Sequence, residues 1–315
     1  MPVTGLPFDD IRTVIASLAG PDERAVGAVV SRNAQLFGQA GAGRIAAICE
    51  WMAAWSGKSP AVNRPLVALF AGTHGAQNEV ARAAVPETVS AIAAGGAAIN
   101  QICSAHELGL KVFDLALAYP TGNITEQEAL SERDCAATIA FGMEAVSGGV
   151  DLMVAGSCVD AAGFSPAAIF SALHDCDPSS WASAPLDIGI AKAAIAHHGK
   201  AVSDPLEALR RLGGRETAAI AGSIIAARVQ HVPLLLDGPH ALAAAAVLKA
   251  LNSDAISHCR LGQGHGNAHS KAMAETLGLE PLLDLAMGLE HGEGGALAMV
   301  MAKTAAAMHS GTVTQ

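Results

Sequence analysis

Leu66-Val67-Ala68-Leu69-Phe70-Ala71-Gly72-Thr73-His74-Gly75 decides the fold of this chain. Six apolar residues in a row, without polar alternation, read as a strand buried on both faces, the habit of a parallel sheet. The glycine-flanked tail reads as the loop leaving that strand. Three runs further along have the same character: Leu110 to Leu115, Asp151 to Gly156 and Val232 to Asp237. Ile256 to Leu261 is a fifth. Helical patterns separate them. Thr125 and Glu128 have the spacing of a capping box opening a helix toward Val146. Arg215 to Val229 and Pro239 to Leu251 are strongly helical. Alternating strand and helix imply an α/β fold with a mainly parallel sheet flanked by helices.

The first sixty residues carry helical patterns only. Asp9 or Asp10 is placed to cap a run through Leu18, Asp22 a run through Phe37, and Arg44 to Trp55 forms a third. The segment after Lys271 also lacks the strand signature. Glu280 to Leu289 reads as a helical apolar run, followed by a glycine turn carrying Glu290, His291 and Glu293 and then a second helical run. The expected organisation is a small helical domain from residues 1–60 and 271–315 beside an α/β domain of residues 61–270.

The 315 residues are 51% hydrophobic, 15% charged and only 3% aromatic, so Ala, Leu, Val and Ile must fill the core, and an oligomer interface is expected. The formal charge of −10 comes without any basic cluster, which excludes a nucleic-acid footprint. Six scattered cysteines without a C-x-x-C pair suggest a reducing compartment rather than a disulfide framework. The N-terminus lacks the pattern of a signal peptide, and no apolar run is long enough to span a bilayer. A cytoplasmic protein is expected.

In parallel sheets ligands sit at the carboxyl ends of strands. Those ends are Thr73-His74-Gly75, Ser157-Cys158, Asp237-Gly238 and Gly262-Gln263. His74 is therefore a candidate site residue. Leu212-Gly-Gly-Arg-Glu216 opens a helix, where exposed amides favour an anion, although a simple loop-to-helix turn with Glu216 in the first turn explains it equally. Ala93 to Gln101 falls in a helical region, and its Gly95-Gly96 pair implies close helix packing. There Asn100 is placed either to meet a ligand or to cap. Gly262 to Ser270 holds two histidines four apart, but Gly264 and Gly266 oppose the helix that a metal pair at this spacing requires, so no metal is expected. His197 and His198 are expected to be exposed and without a role. Two carboxylates and an imidazole on the Glu290–Glu293 turn suit proton transfer.

Taken together these motifs resemble the nicotinate-nucleotide:dimethylbenzimidazole phosphoribosyltransferases. The similar pieces are Asn63 to Gly75, Gly95 to Asn100, Leu212 to Glu216, Leu235 to Gly238, and Glu280 to Leu285 with the glycine turn after it. The resemblance implies a homodimer and transfer of phosphoribose from nicotinate mononucleotide to an aromatic base. A carboxylate takes the proton of the base, and no cofactor or metal is needed. It implies His291 or Glu293 as the catalytic residue. An ungapped match puts His291 at the catalytic glutamate's place, and a two-residue slip returns Glu293 to it. It implies His74, Asn100, Ser157, Gly262, Gln263, His265 and Leu289 as substrate-binding residues. The chain departs from the family pattern in its loops. Ser157 replaces an acidic residue, and the glycine-rich stretch expected after Gly156 reads Ser-Cys-Val-Asp-Ala-Ala-Gly-Phe164. The chain therefore reads as a diverged paralogue. Its expected ligand is a nucleotide or aromatic base. Two functions follow from this reading. One is the transferase. The other is a non-catalytic binding or regulatory paralogue that binds a small heterocycle or nucleotide or pairs with a true family enzyme.

Overall fold

A computed structural model describes residues 5–38, 41–289 and 291–313, and Glu290 and the side chain of His265 lie outside the described residues. The strands are β1 (Pro65–Ala71), β2 (Gly109–Asp114), β3 (Leu152–Cys158), β4 (Leu234–Leu236), β5 (Cys259–His265) and β6 (Pro281–Met287). They form one parallel sheet in the order β2-β1-β3-β4-β5-β6. After β2 the chain crosses back to the far side of β1. The switch point between β1 and β3 opens a crevice at their carboxyl ends.

Helices cover both faces. One face is packed by α1 (Pro7–Ala16), α6 (Glu132–Met143), α7 (Phe164–His174), α8 (Pro185–His198), α9 (Pro205–Leu212), α10 (Arg215–Val229), α11 (Pro239–Leu251) and α12 (Ala268–Thr276). The other is packed by α2 (Glu23–Phe37), α3 (Arg44–Ser56), α4 (Glu79–Ala93), α5 (Ala98–His106) and α13 (Glu293–Gly311). Strand pleating divides β1 between them. Ala68 and Phe70 join the first core, and Val67, Leu69 and Ala71 the second. Burial on both sides explains the unbroken apolar run. Helices α10 and α11 are buried along most of their length and lack a continuous polar face, because both lie in the interior.

Several sequence expectations hold. Arg215–Val229 and Pro239–Leu251 are helices with the expected bounds. Asp22 caps α2, its carboxylate accepting from Ala25 N at 2.9 Å.

Others are corrected. Residues 281–287 form an edge strand, not a helix. Leu261, Gln263 and Gly264 pair with Pro281, Leu283 and Asp284. A seven-residue apolar run satisfies either period, and pairing with the open edge of β5 decided it. Gly262 and Gln263, expected in a loop, lie inside β5. Thr125 does not open a helix: Asn123 Oδ1 takes its amide and hydroxyl at 3.2 and 2.9 Å, and α6 starts at Glu132, capped by Ser131. Gly95-Gly96 forms the turn between α4 and α5 rather than a helix interior. His198 is buried, with its Nε2 3.0 Å from the Ile124 carbonyl.

Candidate functional site

Two clusters flank the carboxyl ends of β1, β3, β4 and β5, one on each face of the sheet. The first is polar. β1 continues through Gly72 and Thr73 to His74, whose backbone N–H donates to Gln77 Oε1 at 2.7 Å. Gln77 Nε2 in turn donates to the Asp160 carbonyl, tying the loop after β1 to the loop after β3. His74 Nε2 lies 3.1 Å from Oε1 of Glu216, in the first turn of α10, and both side chains are at most 1% exposed. His240, in the first turn of α11, is also buried, with its ring centroid 6.3 Å from that of His74. Its Nδ1 lies 3.4 Å from Ser157 Oγ. Burial resists ionisation of Glu216, but attraction to His74, the hydrogen bond from that ring and His240 together hold its carboxyl below the ordinary value. Burial pushes His240 down to about 4, against the pull of Glu216, so its ring is neutral at neutral pH. A Cβ on Gly72 or Gly214 would lie 2.4 or 2.3 Å from Glu216 Oε2, so those two glycines give the carboxylate its place.

The second cluster is a helix end. The turn before α13 brings Gly292, in the left-handed region at φ 88°, down onto Leu69. Glu293 begins the helix, 4% exposed, and its Oε2 accepts from His291 N–H at 2.8 Å. Gly294 and Gly295 then press the helix backbone against neighbouring strands. A Cβ on Gly294 would stand 2.2 Å from Gln263 Cγ, and one on Gly295 2.5 Å from Val154 Cγ1. Gln263 is buried within β5 and donates to the Met287 carbonyl at 3.1 Å. A carboxylate at a helix N-terminus sits in the favourable field of the backbone dipoles.

The fold thus places His74 and Ser157 in the first cluster, and Glu293, His291, Gly262 and Gln263 in or beside the second. Asn100 is engaged in its own turn: Oδ1 accepts from Ala97 N at 3.1 Å and Nδ2 donates to the Ile92 carbonyl at 2.9 Å. Leu289 is exposed. His265 ends β5. A cleft of about 250 Å³ opens at the ends of β3, β4 and β5, lined by Val159, Trp181, Asp187, His240, Asn267 and His269 among others. A cleft of about 330 Å³ lined by Arg44, Trp51, Arg260 and Glu280 lies at the opposite end of the sheet, away from both clusters.

A phosphoribosyltransferase family model matches residues 18–315. The chain is 52% identical to the nicotinate-nucleotide–dimethylbenzimidazole phosphoribosyltransferase of Agrobacterium fabrum strain C58, over all of this chain and 95% of that one. The chain belongs to the nicotinate-nucleotide–dimethylbenzimidazole phosphoribosyltransferase family. A relative of the same name in Rhizobium johnstonii is 51% identical over all of this chain and 97% of its own. A solved nicotinate-nucleotide–dimethylbenzimidazole phosphoribosyltransferase from Thermus thermophilus superposes with a TM-score of 0.82 at 25% identity. The match covers 93% of this chain and 97% of that one. Both alignments with the rhizobial relatives run to 328 positions against 315 residues here, so those family members carry insertions relative to this chain.

Sequence reasoning passes over His240 and treats Glu216 as a helix-end residue. Both have a usable signal. Each lies in the first turn of a largely buried helix that directly follows a glycine, a place where a titratable group must find a buried partner. Among the described residues no helix is long and apolar enough to cross a membrane.

Proposed function

We propose that this chain transfers the phosphoribosyl group of nicotinate mononucleotide to dimethylbenzimidazole or a related aromatic base, with Glu293 as the proton acceptor. The observation that carries the reading is the buried Glu293 carboxylate, held over the strand ends by a glycine-packed helix start in a chain half identical to enzymes of that name. In the reaction the bond from ribose C1′ to the nicotinate nitrogen breaks. Its electron pair stays on that nitrogen and neutralises the pyridinium. The unprotonated ring nitrogen of the acceptor base forms the new bond to C1′, and the N–H of its other ring nitrogen gives its proton to Glu293. His291 offers the turn its backbone N–H, which aims the Glu293 carboxylate. Positioned proton transfer of this kind contributes about 10²–10⁴-fold to rate.

A second reading is a binding or regulatory paralogue that keeps the pocket and not the chemistry. It is favoured by the insertions that the relatives carry and by the direct passage from β3 into α7, where the family's glycine-rich loop is expected. A homodimer, or a pair with an active family enzyme, belongs to either reading, and light scattering of the purified chain tests it.

Incubation with nicotinate mononucleotide and dimethylbenzimidazole, followed by chromatography for the ribosylated base, separates the two functions. The transferase reading expects product, reduced about 10²–10⁴-fold in Glu293→Gln. Full activity in Glu293→Gln would remove Glu293 from the role. Thermal protection by the nucleotide without any product would establish the binding reading instead.

A further inference from the structure

Three side chains from three segments meet behind the switch point: His74 after β1, Glu216 in α10 and His240 in α11. One ligand-capable atom of each lies within 4.8 Å of the other two, and all three residues are buried. Within the trio only the contact of His74 Nε2 with Glu216 Oε1 is made. His74 Nδ1, Glu216 Oε2 and His240 Nε2 are each buried without a hydrogen-bond partner. A buried polar atom left in that state costs about 1–3 kcal/mol, so Glu216 Oε2 and His240 Nε2, which one ion could take together with His74, point to a missing ligand.

We propose that His74, Glu216 and His240 bind a divalent transition-metal ion, with zinc as the reference ion, and that its open coordination position faces the cleft lined by Val159, Asp187 and His240.

Two imidazoles and one carboxylate are a donor set that holds zinc while leaving a position free. Metal–ligand bonds of about 2.0–2.2 Å put neighbouring donor atoms of a tetrahedron roughly 3.3–3.5 Å apart. The 3.1 Å contact between His74 and Glu216 already has nearly that span. A small swing of the His240 ring closes the remaining edges. The ring is supported from behind, since Nδ1 faces Ser157 Oγ at 3.4 Å. That outer support directs Nε2 toward the trio. One carboxylate against a divalent ion leaves net positive charge facing the cleft. A water or an anionic oxygen of a bound molecule suits that position.

The two histidine–glutamate partners belong to motifs shared with the family, whereas this inference concerns what His240 adds to them. It is read without substrate, so it stands or falls separately from the transferase proposal.

The test uses the full chain, purified without chelator and then stripped. Zinc titration is followed by metal analysis and thermal unfolding, and cobalt(II) by visible absorption. The expected result is one tightly held ion per chain and a raised Tm. Cobalt(II) should give tetrahedral bands without the near-ultraviolet thiolate band that cysteine ligation produces. His240→Ala and His240→Gln are expected to lose both the ion and the Tm shift while keeping the far-ultraviolet circular dichroism of the parent. Ser157→Ala is expected to weaken zinc binding about 10–100-fold. If both His240 variants fail to fold, the cobalt spectrum of the parent chain still decides. A thiolate band, an unchanged stoichiometry in His240→Ala, or no Tm shift of the parent at millimolar zinc would each overturn the proposal.

Discussion

The two faces of the sheet treat the same strand ends in opposite ways. On the α10–α11 face, three titratable side chains are drawn out of water together, and a single contact, His74 Nε2 to Glu216 Oε1, joins two of them. On the α13 face, side chains are removed altogether. Gly292, Gly294 and Gly295 let a helix backbone rest on Leu69, Gln263 and Val154, and one carboxylate, Glu293, remains at the helix start. The first arrangement depends on charge and proton placement, the second on shape. Sequence conveys them unequally. A glycine run is visible as such, whereas a cluster assembled from positions 74, 216 and 240 has no local signature.

Substitutions on each side separate the two. The largest expected effect is on the polar face. Glu216→Ala removes a buried carboxylate and leaves His74 Nε2 without its partner, a loss of about 3 kcal/mol, read as a lowered urea midpoint. A loss under about 1 kcal/mol would mean that the pair is not what holds α10 against β1. On the shape-dependent face, Gly294→Ala forces a methyl against Gln263 and Asp237, and overpacking of this kind costs about 1–3 kcal/mol. Its thermal midpoint should fall, and an unchanged midpoint would show that the helix start shifts freely.

The smallest effect concerns a histidine buried alone rather than in a cluster. His258 donates from Nε2 to the Ile224 carbonyl at 3.0 Å. Burial and then the nearby Arg228 lower its pKa from 6.5 to about 3. The unfolded chain therefore takes up this proton first. The stability it supports is fully present above about pH 6.5 and is lost as pH falls from there toward about 3. At one pH unit below the unfolded value the loss is about 1.4 kcal/mol. Urea unfolding between pH 7 and 5 should show that slope, and His258→Gln, which keeps an amide donor for Ile224, should flatten it.

Much of the architecture is legible because burial on two faces leaves a mark that needs no partner to interpret. Residues 66–71 read as a parallel strand, and 215–229 and 239–251 as interior helices, since in each the apolar pattern admits one period at that length. Residues 281–287 mislead because a seven-residue apolar run with leucines and a methionine fits either period, and only the unpaired edge of β5 selects the strand. His198 misleads because a histidine beside another at a helix end looks solvated until the Ile124 carbonyl comes near it. The turn at Glu293 is visible in its glycines, whereas its seat over Leu69 and Gln263 is not.

Local periodicity and contiguous motifs are enough to establish the α/β class, the parallel strands, the interior helices and the resemblance that names the family. Long-range packing was needed to make a strand of residues 281–287 and a packing surface of Gly292 to Gly295. It was needed again to bring His74, Glu216 and His240 into one buried volume. Edge pairing, a helix start seated on distant strands and a three-segment cluster all depend on distances in space, and a linear pattern carries no measure of such distances.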